Sequence, residues 1–168
     1  MQKSWIAEKL WALRTARTLD ELILFLQEIL EAMEFDYFAF KPALYGPEVH
    51  TNFSWEWCKR YRDCDYRLID PILAVMEALG LSFLWERARV YMPLNTEQKT
   101  IMAEARDAGL VSGAAFPVWI FPRVKGIISL ASSMSDHDFA RLFAARYEDI
   151  RLLLQIFCER FKQLMRND

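Results

Sequence analysis

The chain has 168 residues, 54% apolar and 26% charged, a balance that excludes wholesale disorder and favours one domain. A net charge of −2 leaves no overall basic field to hold a nucleic-acid backbone or an anionic membrane face. Cys58, Cys64 and Cys158 form an odd set without a CxxC pair, which argues against a disulfide framework and against a zinc site. The apolar run at 22–26 is too short to span a bilayer, and charges interrupt the apolar N-terminus where a signal peptide would have none. These features point to a reduced, cytoplasmic domain with no membrane partner.

Two helices are predicted first, from about Ser4 to Thr15 and then from an N-cap at Thr18, with Glu21 completing a capping box. Leu22, Phe25, Leu26, Ile29, Leu30 and Met33 follow the helical period. FDYFAF (35–40) reads as a strand with both faces covered, and VHTNF (49–53) as a second strand beyond a turn at Pro42, Gly46 and Pro47. Ser54 caps a short helix through Arg62. Asp70-Pro71 opens another, with Asp as N-cap and Pro at the first position, ending near Gly80. LSFLW (81–85) is a short strand. Asn95 and Gln98 cap a helix that stops at Gly109. SGAAFPVWIF and GIISLASS read as paired strands around a turn with Pro122, Arg123 and Gly126. Ser135 and Asp136 begin a long last helix to about Met165, with Leu142, Tyr147, Ile150, Leu153, Leu154, Phe157 and Phe161 on its buried face. Consecutive strands with short links favour antiparallel pairing. The expected fold is therefore an α/β (α+β) α-β-α sandwich, with a five-stranded antiparallel sheet between two helical layers.

Motifs for catalysis are scarce. The sequence has no GxSxG, GxxxxGK[ST], HExxH or GxGxxG, and His50 and His137 lack local partners that suggest a triad. No catalytic residue, metal ligand or cofactor is assigned. The informative stretch runs from Asn52 to Trp85. Trp57 and Tyr61 share one helical face, and Asp70 follows with a second polar handle. Aromatic walls with a few polar groups suit an amphipathic small molecule. On spacing alone, Trp57 and Tyr61 equally fit core residues, and Asp70 a plain N-cap.

Trp57, Tyr61, Asp70-Pro71, Trp85, Ala105, Gly109-Leu110, Gly113, Pro117, Gly126 and Ser129 occur in an order and spacing that resembles the autoinducer-binding domain of LuxR-type quorum-sensing regulators. The resemblance covers nearly all 168 residues and implies the same α-β-α sandwich. It also implies an N-acyl-homoserine lactone as ligand. On that resemblance Trp57 donates its indole N–H to the lactone carbonyl and Asp70 accepts the amide N–H. Ser129 reaches an acyl carbonyl, and Tyr61 and Trp85 wall the head-group. Ala39, Leu73, Ile101, Ala105 and Ala115 line the tail.

Two departures stand out. Phe53 takes a place where the family commonly has Tyr, and Ile72 follows Asp70 without a hydroxyl, so the surroundings of the amide are more apolar. The chain ends in one amphipathic helix, with no helix-turn-helix DNA-binding domain after it. The whole chain is thus expected to be one sensor domain, either isolated from a longer regulator or naturally truncated. The resemblance implies a homodimer, with Phe139, Leu142 and Phe143 as candidate contacts. DNA would be reached only through a C-terminal domain outside this chain. The alternative is an anti-activator that heterodimerises with a complete regulator without ligand. A lactone or acyl hydrolase using Asp70 or Cys58 is a third reading, weakened by the lack of a positioned histidine base.

Overall fold

A computed structural model describes residues 3–120 and 122–167. Phe121, the last residue of one predicted strand, lies outside them. The chain forms two compact units, one from residues 1–35 and 141–168, the other from 36–140.

In the first unit, α1 (Lys3–Thr15) and α2 (Leu19–Ala32) start and stop close to their expected bounds. Thr18 accepts from the Glu21 amide at 3.2 Å, but the Glu21 carboxylate turns further back, to the Arg17 amide at 2.7 Å. Lys9 ties α1 to α2 through Glu28 at 2.5 Å. The remainder of this unit is the C-terminal part of α7 (Asp136–Arg166), which buries Ile150, Leu153, Leu154, Phe157 and Phe161. Arg160 on α7 donates from Nε to the Ala16 carbonyl at 2.6 Å, satisfying one orphan group beyond the end of α1. Tyr147, expected on the buried face of α7, is exposed, where its hydroxyl stays hydrated and its ring packs edge-on against Phe143 at 5.6 Å. Phe139, expected as an exposed dimer contact, is 1% exposed and belongs to the interior.

The second unit holds the sheet, in the order β2-β1-β5-β4-β3, antiparallel throughout. Its strands are β1 (Tyr37–Lys41), β2 (His50–Thr51), β3 (Phe83–Leu84), β4 (Ser112–Ile120) and β5 (Arg123–Ser132). The two edge strands are much shorter than the predicted 49–53 and 81–85. Asn52 leaves the ladder to cap it, accepting from the Phe38 amide at 2.8 Å and donating to the Asp36 carbonyl at 2.9 Å. Trp85 turns out of β3 into a 3-10 turn (Trp85–Arg87), followed by α5 (Ala88–Tyr91).

The helices α3 (Trp55–Asp63), α4 (Pro71–Leu79) and α6 (Thr96–Asp107) carry the caps read from the sequence: Ser54, Asp70 with Pro71, and the full Asn95–Gln98 box. Gly80 ends α4 in the left-handed region at φ 62°, a conformation that costs glycine little. The expected mixed α/β class with a five-stranded antiparallel sheet is what the chain adopts.

The two faces of the sheet differ in bulk. One carries Phe38, Phe40, Phe116, Ile128 and Leu130, all buried. The other carries Ala39 opposite Ser129, Ser129 opposite Ala115, and Gly113 opposite Ala131. Small side chains across three central strands leave space between this face and α3, α4 and α6, whose Trp57, Leu73, Ile101 and Ala105 join the same core cluster.

Candidate functional site

That space is a cavity of about 270 Å³. Its walls include eleven of the residues singled out from the sequence: Ala39, Phe53, Trp57, Tyr61, Asp70, Ile72, Leu73, Trp85, Ile101, Ala105 and Ser129. Ala115 does not reach it; this residue is fully buried in the core cluster, with Phe83 and Ser129 as its strand partners.

Each polar handle is placed by a local feature of the chain. Asp70 caps α4, with Oδ1 accepting from the Ile72 amide at 2.8 Å. Its other oxygen, Oδ2, accepts from the Tyr61 hydroxyl at 2.6 Å. Burial raises the Asp70 carboxyl above the ordinary Asp value. The Tyr61 hydrogen bond, the amides of Ile72 and Leu73 and the charge of Lys41 act in the opposite direction. Burial and Asp70 together hold the Tyr61 phenol protonated, well above its usual range.

The Ser54 cap sets the first turn of α3 and turns Trp57 inward. Trp57 is 8% exposed and packs against Tyr61 and Tyr66, with ring centroids 5.9 and 6.2 Å away. Among the described residues, nothing accepts a hydrogen bond from its indole N–H. Trp85 Nε1 is buried without a partner, which among the described residues holds for no other fully buried side-chain nitrogen or oxygen. Trp85 can lie against β4 because position 113 is glycine: a Cβ there would sit 2.5 Å from Trp85 Cδ2. The cavity is therefore apolar in its bulk, with indole donors that meet no acceptor and with Asp70, Asp65, Lys41, Arg62 and Arg67 as the charged residues of its wall.

Several wall residues were not singled out from the sequence. Lys41, on the cavity face of β1, is 8% exposed and donates from Nζ to the Gly46 carbonyl at 3.0 Å. Burial pushes its ammonium below the ordinary lysine value, while Asp70 pulls it up. Arg67 enters the wall from a 3-10 turn (Tyr66–Leu68) that follows Asp65 in the left-handed region at φ 51°, and it donates to the Tyr45 carbonyl. Beside it Tyr45 donates to Glu77 at 2.5 Å, and burial with that carboxylate pushes the phenol up to about 12. Period-two alternation places Lys41 with Ala39, but a lysine ending a strand gives no sign that it stays buried.

A second polar cluster lies at one side of the cavity. Glu104 on α6 accepts from the Tyr66 hydroxyl at 2.6 Å and from Arg60 Nη2 at 3.1 Å and Nε at 3.3 Å. It joins α6 to α3, the two helices that supply Trp57, Tyr61, Ile101 and Ala105. Cys58 also lines the cavity, and burial pushes its thiol up, which disfavours a thiolate nucleophile. Among the described residues no group of three or more His, Cys, Asp or Glu side chains could hold a metal ion. None of their helices is long and apolar enough to cross a membrane.

A mixed α/β unit with a mostly apolar cavity, partly open to solvent, and a few convergent polar groups defines a small-molecule-binding domain. Residues 18–161 match the family described as autoinducer binding domain, and the chain belongs to that family, the sensor domains of LuxR-type regulators. The HTH-type quorum-sensing regulator RhlR of Pseudomonas aeruginosa is 27% identical over 146 residues, covering 82% of this chain and 56% of RhlR. The chain thus spans a little over half of that relative. Among solved structures, the N-acylhomoserine lactone-dependent LuxR family factor CepR2 of Burkholderia cenocepacia shares the fold with a TM-score of 0.80 at 17% identity, over 96% of both chains. SdiA in complex with octanoyl-rac-glycerol shares it with a TM-score of 0.70 at 19% identity, over 98% of this chain and 69% of SdiA.

Proposed function

We propose that this domain senses an N-acyl-homoserine lactone, or a closely related acylated signal, bound in the cavity between the sheet and α3, α4 and α6. The observation that carries the reading is the pairing of an unpartnered Trp57 indole N–H with the Asp70 carboxylate in one apolar cavity. A lactone carbonyl is the natural acceptor for the first, and an amide N–H the natural donor to the second. The acyl chain would take the apolar remainder, along Ala39, Leu73, Ile101 and Ala105. Ser129, in the cavity wall on the central strand, would meet an acyl carbonyl, since Phe53 offers no hydroxyl.

The energetics favour an occupied state. The apolar wall of this cavity lacks the contacts that a filled core would give it, and covering it returns roughly 25 cal/mol per Å² removed from water. A ligand restores those contacts and supplies partners for the buried polar groups. It would act as part of the core and stabilise the folded state by mass action. In the whole regulator we take occupancy to be read out through a homodimer and a separate DNA-binding domain. The relatives named above are regulators, and the half-buried, protonated thiol of Cys58 gives no nucleophile for lactone cleavage.

The direct test is native mass spectrometry on protein expressed with and without a mixed pool of N-acyl-homoserine lactones, followed by solvent extraction. One retained lactone per chain is the expected result, and its mass gives the acyl length. Soluble, cooperatively melting protein that retains nothing from the pool would overturn the reading.

A further inference from the structure

We propose that the signal is anionic: its acyl portion carries a carboxylate that pairs with Lys41, with Arg67 on the same cavity wall. The inference rests on the acyl-lactone reading above and names the class of acyl group within it. A lysine that is 8% exposed needs a reason to be inside an apolar cavity. Lys41 is held there by the strand, since its neighbour two residues back, Ala39, faces the same cavity. Of the three ammonium N–H groups, one is used, on the Gly46 carbonyl. Among the described residues no carboxylate forms an ion pair with it.

The other charges on the wall do not remove this surplus. Asp70 attracts Lys41, but no hydrogen bond or ion pair joins the two; its oxygens accept from Tyr61 and the Ile72 amide. Arg67 repels it. Arg67 has its own nearest carboxylate in Asp65, at 3.9 Å, and Asp65 is exposed. A saturated alkyl tail laid over Lys41 would strip the ammonium of water and return no partner, a strong penalty in a low-dielectric site. A carboxylate in the same place supplies the charge and fills the two free N–H positions. The same lysine then discriminates against plain alkanoyl signals, because they would leave it desolvated and unpaired.

The test compares homoserine lactone half-amides of adipic, pimelic, suberic and sebacic acid with their methyl esters and with plain alkanoyl lactones of matching length. Binding is read by isothermal titration on the intact chain. The free acid of the best-fitting length is expected to bind about tenfold or more tighter than its ester. In Lys41→Met the ratio of acid to ester affinity should fall to about one, since the charged partner of the carboxylate is gone. Wild-type protein that binds the ester or the plain alkanoyl lactone as tightly as the acid overturns the inference and leaves the lactone reading standing. An acid preference that survives in Lys41→Met overturns the assignment to Lys41. If no lactone of any kind binds, both readings fall together.

Discussion

The Tyr61 hydroxyl donates to Asp70 Oδ2 at 2.6 Å, so the residue that caps α4 is also anchored to α3. One carboxylate thereby fixes the relation of two helices that wall the cavity. Tyr61→Phe keeps the ring and its contact with Trp57 but removes this bond. A hydrogen bond to a charged group is worth roughly 1.5–3 kcal/mol, and urea denaturation should show a loss in that range. Because the Tyr61 bond holds the Asp70 carboxyl down, the variant should also titrate higher at Asp70, readable by carbon NMR of its carboxyl.

The Asp70 titration sets a pH dependence. Its folded pKa lies above the unfolded value, so its contribution to stability is present below the ordinary Asp value, about 3.9, and is lost as pH rises through the folded value. Ligand-free protein should therefore lose stability across that interval. A ligand amide N–H favours the ionised form, so binding releases a proton there and affinity should rise with pH, then level off. Titration calorimetry in buffers of different ionisation enthalpy checks this, and Asp70→Asn should abolish the proton release.

The same variant separates capping from recognition. Asparagine caps helices about as well as aspartate, so Asp70→Asn should leave α4 intact while weakening lactone binding by about 1–3 kcal/mol. Trp57→Phe should do the same through the lost indole donor, with little change in stability without ligand. A Trp57→Phe variant that unfolds but binds normally once folded would assign Trp57 to the core alone.

Gly113 is defined by Trp85. A Cβ at position 113 would approach Trp85 Cδ2 to 2.5 Å, Cε2 to 2.6 Å and the Leu130 carbonyl oxygen to 2.7 Å. Gly113→Ala should cost about 1–3 kcal/mol by overpacking and should displace the Trp85 ring. Thermal melts would report the first effect, and a change in acyl-length preference the second.

Helix boundaries were the most legible part of this chain, because caps are local chemistry. Thr18, Ser54, Asp70-Pro71 and the Asn95–Gln98 pair each mark a start that the structure reproduces. The 3-10 turn at Tyr66–Leu68 carries no such mark; Asp65 in the left-handed region sets it up, and Arg67 reaches the cavity only through it. Tyr147 shows the limit of periodicity on a long helix, since the stripe that buries Ile150 and Phe157 leaves Tyr147 exposed. In the site, the aromatic and acidic residues were legible as a constellation. Lys41 was not, because its place opposite Ile127 and its bond to the Gly46 carbonyl come from the pairing of β1 with β5 and from the turn after β1, which no motif marks.

The two cavity-facing indoles give the domain an optical gauge of its own occupancy. Trp57 and Trp85 are 8% and 9% exposed, whereas Trp11, Trp55 and Trp119 are 64%, 67% and 42% exposed. Trp5 is half-buried, so emission that survives an aqueous quencher such as acrylamide comes in part from Trp5 and otherwise from Trp57 and Trp85. A molecule entering between them changes that residual emission directly, so the chain can be titrated without a dye, a label or a promoter.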